Sequence, residues 1–284
     1  MKQIAVVSGK GGTGKTMLTA SFASLAKNKV MVDCDVDAAN LYLLLSPILK
    51  EKHDFSGGVT AKIDNEKCIQ CGKCIEACRF YAISDDFVVD PISCEGCALC
   101  SHICPVEAAT MEDNQSGQWF ISDTKYGAFV HAKLGIAEEN SGKLVTEVRK
   151  AAIKIAEKEK LDYILIDGPP GIGCPVISSL TGVNMAIIVT EPTLSGIHDM
   201  ERMIEVASHF DIDTRVVINK FDLNEENSDK IKSICEEKNI KVSGMIPFSR
   251  EVVESVVNMI PVVEYTKNGI SQTIENIWNS VCGD

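Results

Sequence analysis

Two sets of residues in this 284-residue chain have the types and spacing for chemistry. The first is a pair of cysteine runs. Cys68, Cys71, Cys74 and Cys78 are separated by two, two and three residues, and Cys94, Cys97, Cys100 and Cys104 repeat that spacing before Pro105. Each cysteine of the first run recurs 26 positions later, as do Asp64 (Asp90) and Ala82 (Ala108), so a short unit has been duplicated. A cubane cluster needs thiolates converging from several directions, and two-residue gaps let one tight loop supply three of them. Two zinc ions are the alternative, although zinc ribbons pair their Cys-x2-Cys units at wider separation. The second set is Gly9, Lys10, Gly11, Gly12, Thr13, Gly14, Lys15 and Thr16, between the apolar run Ile4–Val7 and an apolar-periodic helix through Ala26. This is Gly-x4-Gly-Lys-Thr in the strand–loop–helix setting that a phosphate loop requires. Its backbone N–H groups would face phosphate oxygens, with the helix N-terminus adding partial positive charge. Lys15 would reach the β- and γ-phosphates, and the Thr16 hydroxyl would hold Mg²⁺.

Over roughly residues 57–116 the cysteine pattern resembles the bacterial-type ferredoxin family. In two-cluster ferredoxins the fourth cysteine of each run serves the other cluster. The resemblance therefore implies two 4Fe–4S clusters, one held by Cys68, Cys71, Cys74 and Cys104, the other by Cys94, Cys97, Cys100 and Cys78. Arg79 stands where the motif usually has proline, which bears on the loop and potential but removes no ligand. Clusters that only brace a small, core-poor domain remain open beside a redox role.

The form Lys10-Gly11-Gly12-Thr13-Gly14-Lys15-Thr16 resembles the deviant Walker A loop of the MinD/ParA/Mrp superfamily, which includes the nitrogenase iron protein; the likeness covers residues 1–50 and 117–284. In that family the first lysine crosses a nucleotide-sandwich homodimer to the partner's nucleotide. Lys10 would then place positive charge where the transition state accumulates negative charge. Asp35 matches the residue that activates the attacking water, and Asp33 and Asp37 are magnesium candidates held directly or one layer behind. A solvated acidic turn is the alternative, but the carboxyl end of a strand beside the glycine loop is where a magnesium site belongs. The strand Leu161–Ile166 delivers Asp167 to a Gly/Pro turn, as a Walker B strand does, and Asp167 would hold Mg²⁺ through water. A further strand ends in Asn219-Lys220-Phe221-Asp222. In this family the asparagine contacts adenine, whereas the same pattern reads guanine in many GTPases; the resemblance favours ATP. Ile246-Pro247-Phe248 resembles the family's base-capping loop, which brings Pro247 to the nucleotide.

These residues need a frame, and the composition supplies an ordinary globular one: 45% hydrophobic, 24% charged, 6% aromatic. Apolar runs at 184–190, 215–218 and 242–246 predict buried parallel strands, and helical periodicity appears near 142–158, 197–210, 228–238 and 269–281, the first capped within Asn140-Ser141-Gly142. The expected fold is α/β, a doubly wound, mostly parallel sheet of the P-loop NTPase kind (1–56 and 117–284), with a small inserted α+β ferredoxin-like domain (57–116). The net charge of −12 argues against nucleic acid or a membrane surface as partner. No secretory signal is predicted, because Ser8, Gly9 and Lys10 interrupt the first apolar run, and no membrane span, because the longest uncharged run, between Asp167 and Glu191, holds Pro169, Pro170, Pro175, several glycines and Asn184; a cytoplasmic location follows, where disulfides are rare. Of the remaining cysteines, Cys34, Cys235 and Cys282 read as packing residues. Cys174 lies seven residues past Asp167, as a cluster-ligating cysteine does in the nitrogenase iron protein, but 125–135 offers no companion, so a dimer-interface metal or cluster site and a plain thiol both stand.

The combination implies a Mg-dependent ATPase, homodimeric across the nucleotide, that couples nucleotide state to metallocluster assembly or transfer, or to low-potential electron transfer, on a metalloprotein or redox partner. Two alternatives are a positioning or regulatory MinD-like ATPase whose clusters are structural or redox-sensing, and a GTPase-type metalloenzyme maturation factor.

Overall fold

Uncharged runs of Val, Ile, Leu and Ala lose their polar backbone to neighbouring strands and their side chains to helices on both faces, and such runs build the centre of this fold. The computed structural model describes residues 1–135 and 141–283. In chain order the elements are β1 (Lys2–Ser8), α1 (Lys15–Leu25), β2 (Lys29–Asp33), α2 (Leu41–Leu45), β3 (Ile48–Ile63), α3 (Lys73–Ala77), α4 (Leu99–Ile103), β4 (Ala109–Thr124), β5 (Gly127–Leu134), α5 (Ser141–Glu159), β6 (Tyr163–Pro170), α6 (Cys174–Leu180), β7 (Met185–Thr190), α7 (Leu194–His209), β8 (Asp213–Asn219), α8 (Glu225–Glu237), β9 (Lys241–Ile246), α9 (Arg250–Val257), α10 (Val262–Tyr265) and α11 (Gly269–Cys282). The nine-stranded sheet runs β3-β4-β5-β2-β6-β1-β7-β8-β9, and the pairs from β5 to β9 are parallel. The expected α/β, mostly parallel architecture is present. The described part of the cap foreseen at 140–142 is Ser141 and Gly142 at the head of α5; Asn140 lies outside the described residues. No helix among the described residues is long and apolar enough to cross a membrane.

The core of the sheet's first face joins α1, α10 and α11: Phe22, Leu18, Ile274, Ile277 and Val281 are buried together with Ile4, Val6 and Leu165, and the Phe22 ring lies 5.1 Å from that of Trp278. The strand at 242–246 is not wholly buried as expected; β9 ends the sheet order, and only Ile246 is buried. Three elements carry no sequence signal of their own. α2 is a single turn, β3 is mostly exposed with its charges gathered at 50–54, and β4 is a mainly polar, half-buried strand, so neither strand shows the continuous apolar run of a core strand.

The chain divides into two units. The first holds Met1–Lys52, Trp119–Lys133 and the chain from Ser141 onward; the second holds His53–Gln118 and the short stretch that begins at Leu134. Within the second unit the 26-residue repeat is visible in the backbone. α3 and α4 begin at equivalent positions, preceded by Gly72 and Ala98 with φ of 74° and 61°. Tyr81 and Glu107, also 26 apart, have φ of 53° and 52°. The halves cross-pair through the repeated residues: Asp64 N–H donates to the Ala108 carbonyl (2.8 Å), and Asp90 N–H to the Ala82 carbonyl (2.7 Å).

Truncating the buried Phe22 leaves a cavity between α1 and α11. The Phe22→Ala variant is expected to lose about 3–5 kcal/mol, lowering the thermal midpoint by roughly 10 °C in a circular-dichroism melt.

Candidate functional site

Sheet register makes the first site. β2 pairs with β6 so that Asp33 lies opposite Asp167, and β1 pairs with β6 so that Val6 lies opposite Asp167 as well. Both aspartates are fully buried at the carboxyl ends of central strands, where open α/β sheets bind ligands. The loop from Ser8 then turns over them. Gly12 and Gly14 have φ of 80° and 92°, so the turn needs residues without a Cβ. A Cβ on Gly14 would stand 2.3 Å from the Asn219 amide nitrogen, whereas one on Gly11 or Gly12 would meet nothing within 4 Å. The loop is therefore open on the Gly11–Gly12 side and closed against Asn219 at Gly14.

Around Asp167 three side chains from α1 converge. Thr16 Oγ1 donates to Oδ2 (2.8 Å), Thr19 Oγ1 donates to Oδ1 (3.0 Å), and Lys15 Nζ lies 3.3 Å from Oδ1. Thr19 carries no motif of its own; it stands one turn after Lys15, and only the placement of Asp167 by the sheet brings it into the site. Asp33 accepts the N–H groups of Asp35 (3.0 Å) and Leu41 (3.1 Å), which anchors both ends of the acidic loop. Asp35 is half-buried and accepts from Ala38 N–H, while Asp37 is exposed.

At the other end of the loop, Asn219 Nδ2 donates to the Thr13 carbonyl (2.8 Å) and Asp222 Oδ1 accepts the Phe248 N–H (2.7 Å), which fastens the chain after Pro247. Lys220 lies against the Gly12 carbonyl and forms an ion pair with Glu191. Lys10 Nζ turns back along its own chain to Thr193 Oγ1 (3.1 Å), Ser195 Oγ (3.2 Å) and Glu191 (3.7 Å). Thr13 Oγ1 is buried without a partner. An open glycine turn, an orphaned hydroxyl beside it, and a lysine, a threonine and an aspartate in mutual contact fit a nucleotide phosphate chain with Mg²⁺.

In the second unit the cysteines surround two apolar cavities. One is lined by Cys68, Cys71, Cys74 and Cys104 with Ile69 and Val106, the other by Cys78, Cys94, Cys97 and Cys100 with Phe80 and Leu99. The Sγ atoms of Cys68, Cys94 and Cys104 accept the N–H groups of Gln70, Ala61 and Ala108. Backbone N–H groups, that of Val106 foremost, hold the Cys104 thiol below its usual range. Among the described residues no three His, Cys, Asp or Glu stand close enough to hold a single metal ion. All twelve cysteines are free. Cys34 and Cys235 are buried, Cys282 packs against the core, and Cys174 opens α6 in an exposed position.

Comparison with known proteins decides the family. Residues 4–262 match the model of the CobQ/CobB/MinD/ParA nucleotide binding domain. The chain belongs to this family. It is an ATP-binding, MinD/ParA-like ATPase. An uncharacterised protein of Methanocaldococcus jannaschii is 33% identical to it over 98% of this chain and 96% of its own length. The septum site-determining protein MinD of Bacillus subtilis is 23% identical, over 99% and 89%. Among solved structures, septum site-determining MinD from Pyrococcus horikoshii, complexed with Mg-ADP, shares the fold with a TM-score of 0.59 at 20% identity, covering 99% of this chain and 96% of that one.

The charges in this MinD/ParA-family site are poised for a cation. Burial opposes the charge on Lys15, but Asp167, Asp33 and Asp35 together outweigh it and hold its pKa above the ordinary value. Burial, reinforced by the neighbouring Asp167, pushes Asp33 up to about 8. An unfolded aspartate titrates near 3.9, so between about pH 4 and 8 the nucleotide-free fold binds a proton that the unfolded chain does not, and stability on this account falls as pH rises. His131, sandwiched by Phe120 and Phe129 on β4 and β5, acts oppositely: burial lowers it to about 4, which raises stability with pH up to about 6.5. Between about pH 6.5 and 8 the Asp33 effect dominates, opposed only toward pH 8 by Lys29, which burial lowers to about 8. The nucleotide-free protein is expected to melt several degrees lower at pH 8 than at pH 6.5, and Asp33→Asn to flatten that slope whatever its own fixed cost.

Proposed function

We propose that this ATPase is a nucleotide-switched regulatory protein of the MinD kind, active as a homodimer with nucleotide at the interface, whose second unit (residues 57–116, at the core of the 53–118 division) holds two 4Fe–4S clusters as a redox-responsive element. The observation that carries it is the pair of cavities, each lined by four cysteines, on a chain that also carries the phosphate loop. The two cysteine sets are the pairs of runs that the 26-residue repeat links, three from one run and the fourth from the other. Thiolates on a cubane stand on separate iron corners, farther apart than four thiolates on one zinc ion. Cysteines that wall a cavity without closing on a point fit the cubane.

In the ATPase unit each group has a task. The loop N–H groups and Lys15 bind the phosphates. Thr16 and Asp167, already in contact, would hold Mg²⁺, supported by Asp33, and the ion would offset phosphate charge. Asp35 orients the attacking water, and Lys10 of one protomer serves the other's nucleotide. ATP is favoured over GTP because the chain belongs to the MinD/ParA family and because Asp222 Oδ1, on the carboxylate that would have to read guanine, already accepts the Phe248 N–H. The named curated relatives are septum site-determining proteins, which supports the positioning or regulatory reading over cluster assembly or electron delivery. One observation favours the delivery reading: Cys71 and Cys97 are exposed, so each cluster would lie at the surface, within reach of a redox or metalloprotein partner.

Anaerobically purified protein is expected to contain about eight irons and eight sulfides per chain. Replacing Cys71 and Cys97 together with serine should reduce both counts while ATP binding persists. Zinc in place of iron in the untreated protein overturns the cluster assignment. On the nucleotide side, ATP is expected to bind at least about tenfold more tightly than GTP in a competition assay. Dimerisation on Mg-ATP, measured by light scattering, should differ between oxidised and dithionite-reduced protein; an identical response in both states removes the redox-responsive role. ATP-dependent reduction of an acceptor protein would establish delivery in its place.

A further inference from the structure

Glu191 lies at the carboxyl end of β7, and no motif marks it. Its side chain is only 14% exposed, and it meets two lysines of different origin. Lys220, in the left-handed conformation at the end of β8, pairs with Oε1 and also reaches the Gly12 carbonyl (3.4 Å). Lys10, 30% exposed, lies 3.7 Å from Oε2 and is held more closely by Thr193 and Ser195 at the start of α7. Without this carboxylate two ammonium groups would share a partly desolvated corner with no counter-ion.

We propose that Glu191 is a positioning residue: a shared counter-ion that folds Lys10 back onto its own chain while fixing Lys220 against the phosphate loop. The arrangement makes release of Lys10 inexpensive. When Lys10 leaves, Glu191 keeps Lys220, so no buried carboxylate is left unpaired, and the hydroxyls of Thr193 and Ser195, 3.3 Å apart, satisfy each other. Lys220 remains tied to the loop through the Gly12 carbonyl. Glu191 thus sets the resting place from which Lys10 departs; that Lys10 departs toward a partner's nucleotide rests on the proposed dimer, whereas the resting contact does not.

The test reads the lysines directly in nucleotide-free protein. Amines are acetylated with a water-soluble succinimidyl ester, and the rates at Lys10 and Lys220 are measured by mass spectrometry against exposed Lys154 on α5. In Glu191→Gln both ratios are expected to rise about threefold or more, as befits loss of a partly buried ion pair. An unchanged Lys10 ratio overturns the proposal, and so does a rise confined to Lys220. If the glutamine variant does not fold, Glu191→Asp retains the charge on a shorter arm. The 3.7 Å contact to Lys10 is then the first to be lost, so Lys10 alone should label faster. Equal labelling in Glu191→Asp and the wild type overturns the proposal. These rates are independent of ATP-induced dimerisation, whose failure would count against the dimer alone.

Discussion

The site depends on one buried carboxylate. Asp167 is placed by strand pairing beside Asp33, sealed from water, and satisfied by Lys15, Thr16 and Thr19 from the first turns of a single helix. A buried charge without such partners would be costly, so the contacts that satisfy it also dock α1 onto the sheet. The same aspartate's carbonyl accepts the Cys34 N–H (2.8 Å), and Asp33 holds the loop from Asp35 to Leu41. Lys15, Thr16 and the acidic loop are thereby referred to the Asp33–Asp167 pair. Thr16 and Asp167, already hydrogen-bonded to each other, are the groups that would hold a Mg²⁺ ion there, where it would offset the charge of the phosphates.

The second unit solves a different problem with different means. Its core is small, α3 and α4 contain no buried residue, and its halves are joined by reciprocal backbone bonds between residues that repeat every 26 positions. Cross-pairing explains why three cysteines of one run share a cavity with the last cysteine of the other. The left-handed turns before each short helix recur at the same interval, so each half wraps its cavity in the same way.

Much of this is legible in the chain, for physical reasons. The glycine loop is legible because its turn tolerates few residues, and Asp167 because an apolar strand ending in one carboxylate has few other uses. The cysteine runs are legible because duplication leaves a fixed interval, and their partition is what the resemblance to two-cluster ferredoxins implies. What escapes is set by partners remote in sequence. Glu191 is one acid at the end of one strand, and only the pairing of β7 with β1 and β8 brings it between Lys10 and Lys220. Thr19 looks like any helix threonine until the sheet supplies Asp167. β3, mostly exposed, and β4, mainly polar and half-buried, lack the apolar run that marks β6 or β7.

The central claim is that Asp167 organises the cation and phosphate site. It is tested most directly by measuring ATP affinity calorimetrically with and without Mg²⁺, in the wild type and in Asp167→Asn. The wild type should gain about tenfold or more from Mg²⁺, and the variant should lose that gain while still binding metal-free ATP through the loop and Lys15. A variant that retains the full magnesium dependence would contradict the account.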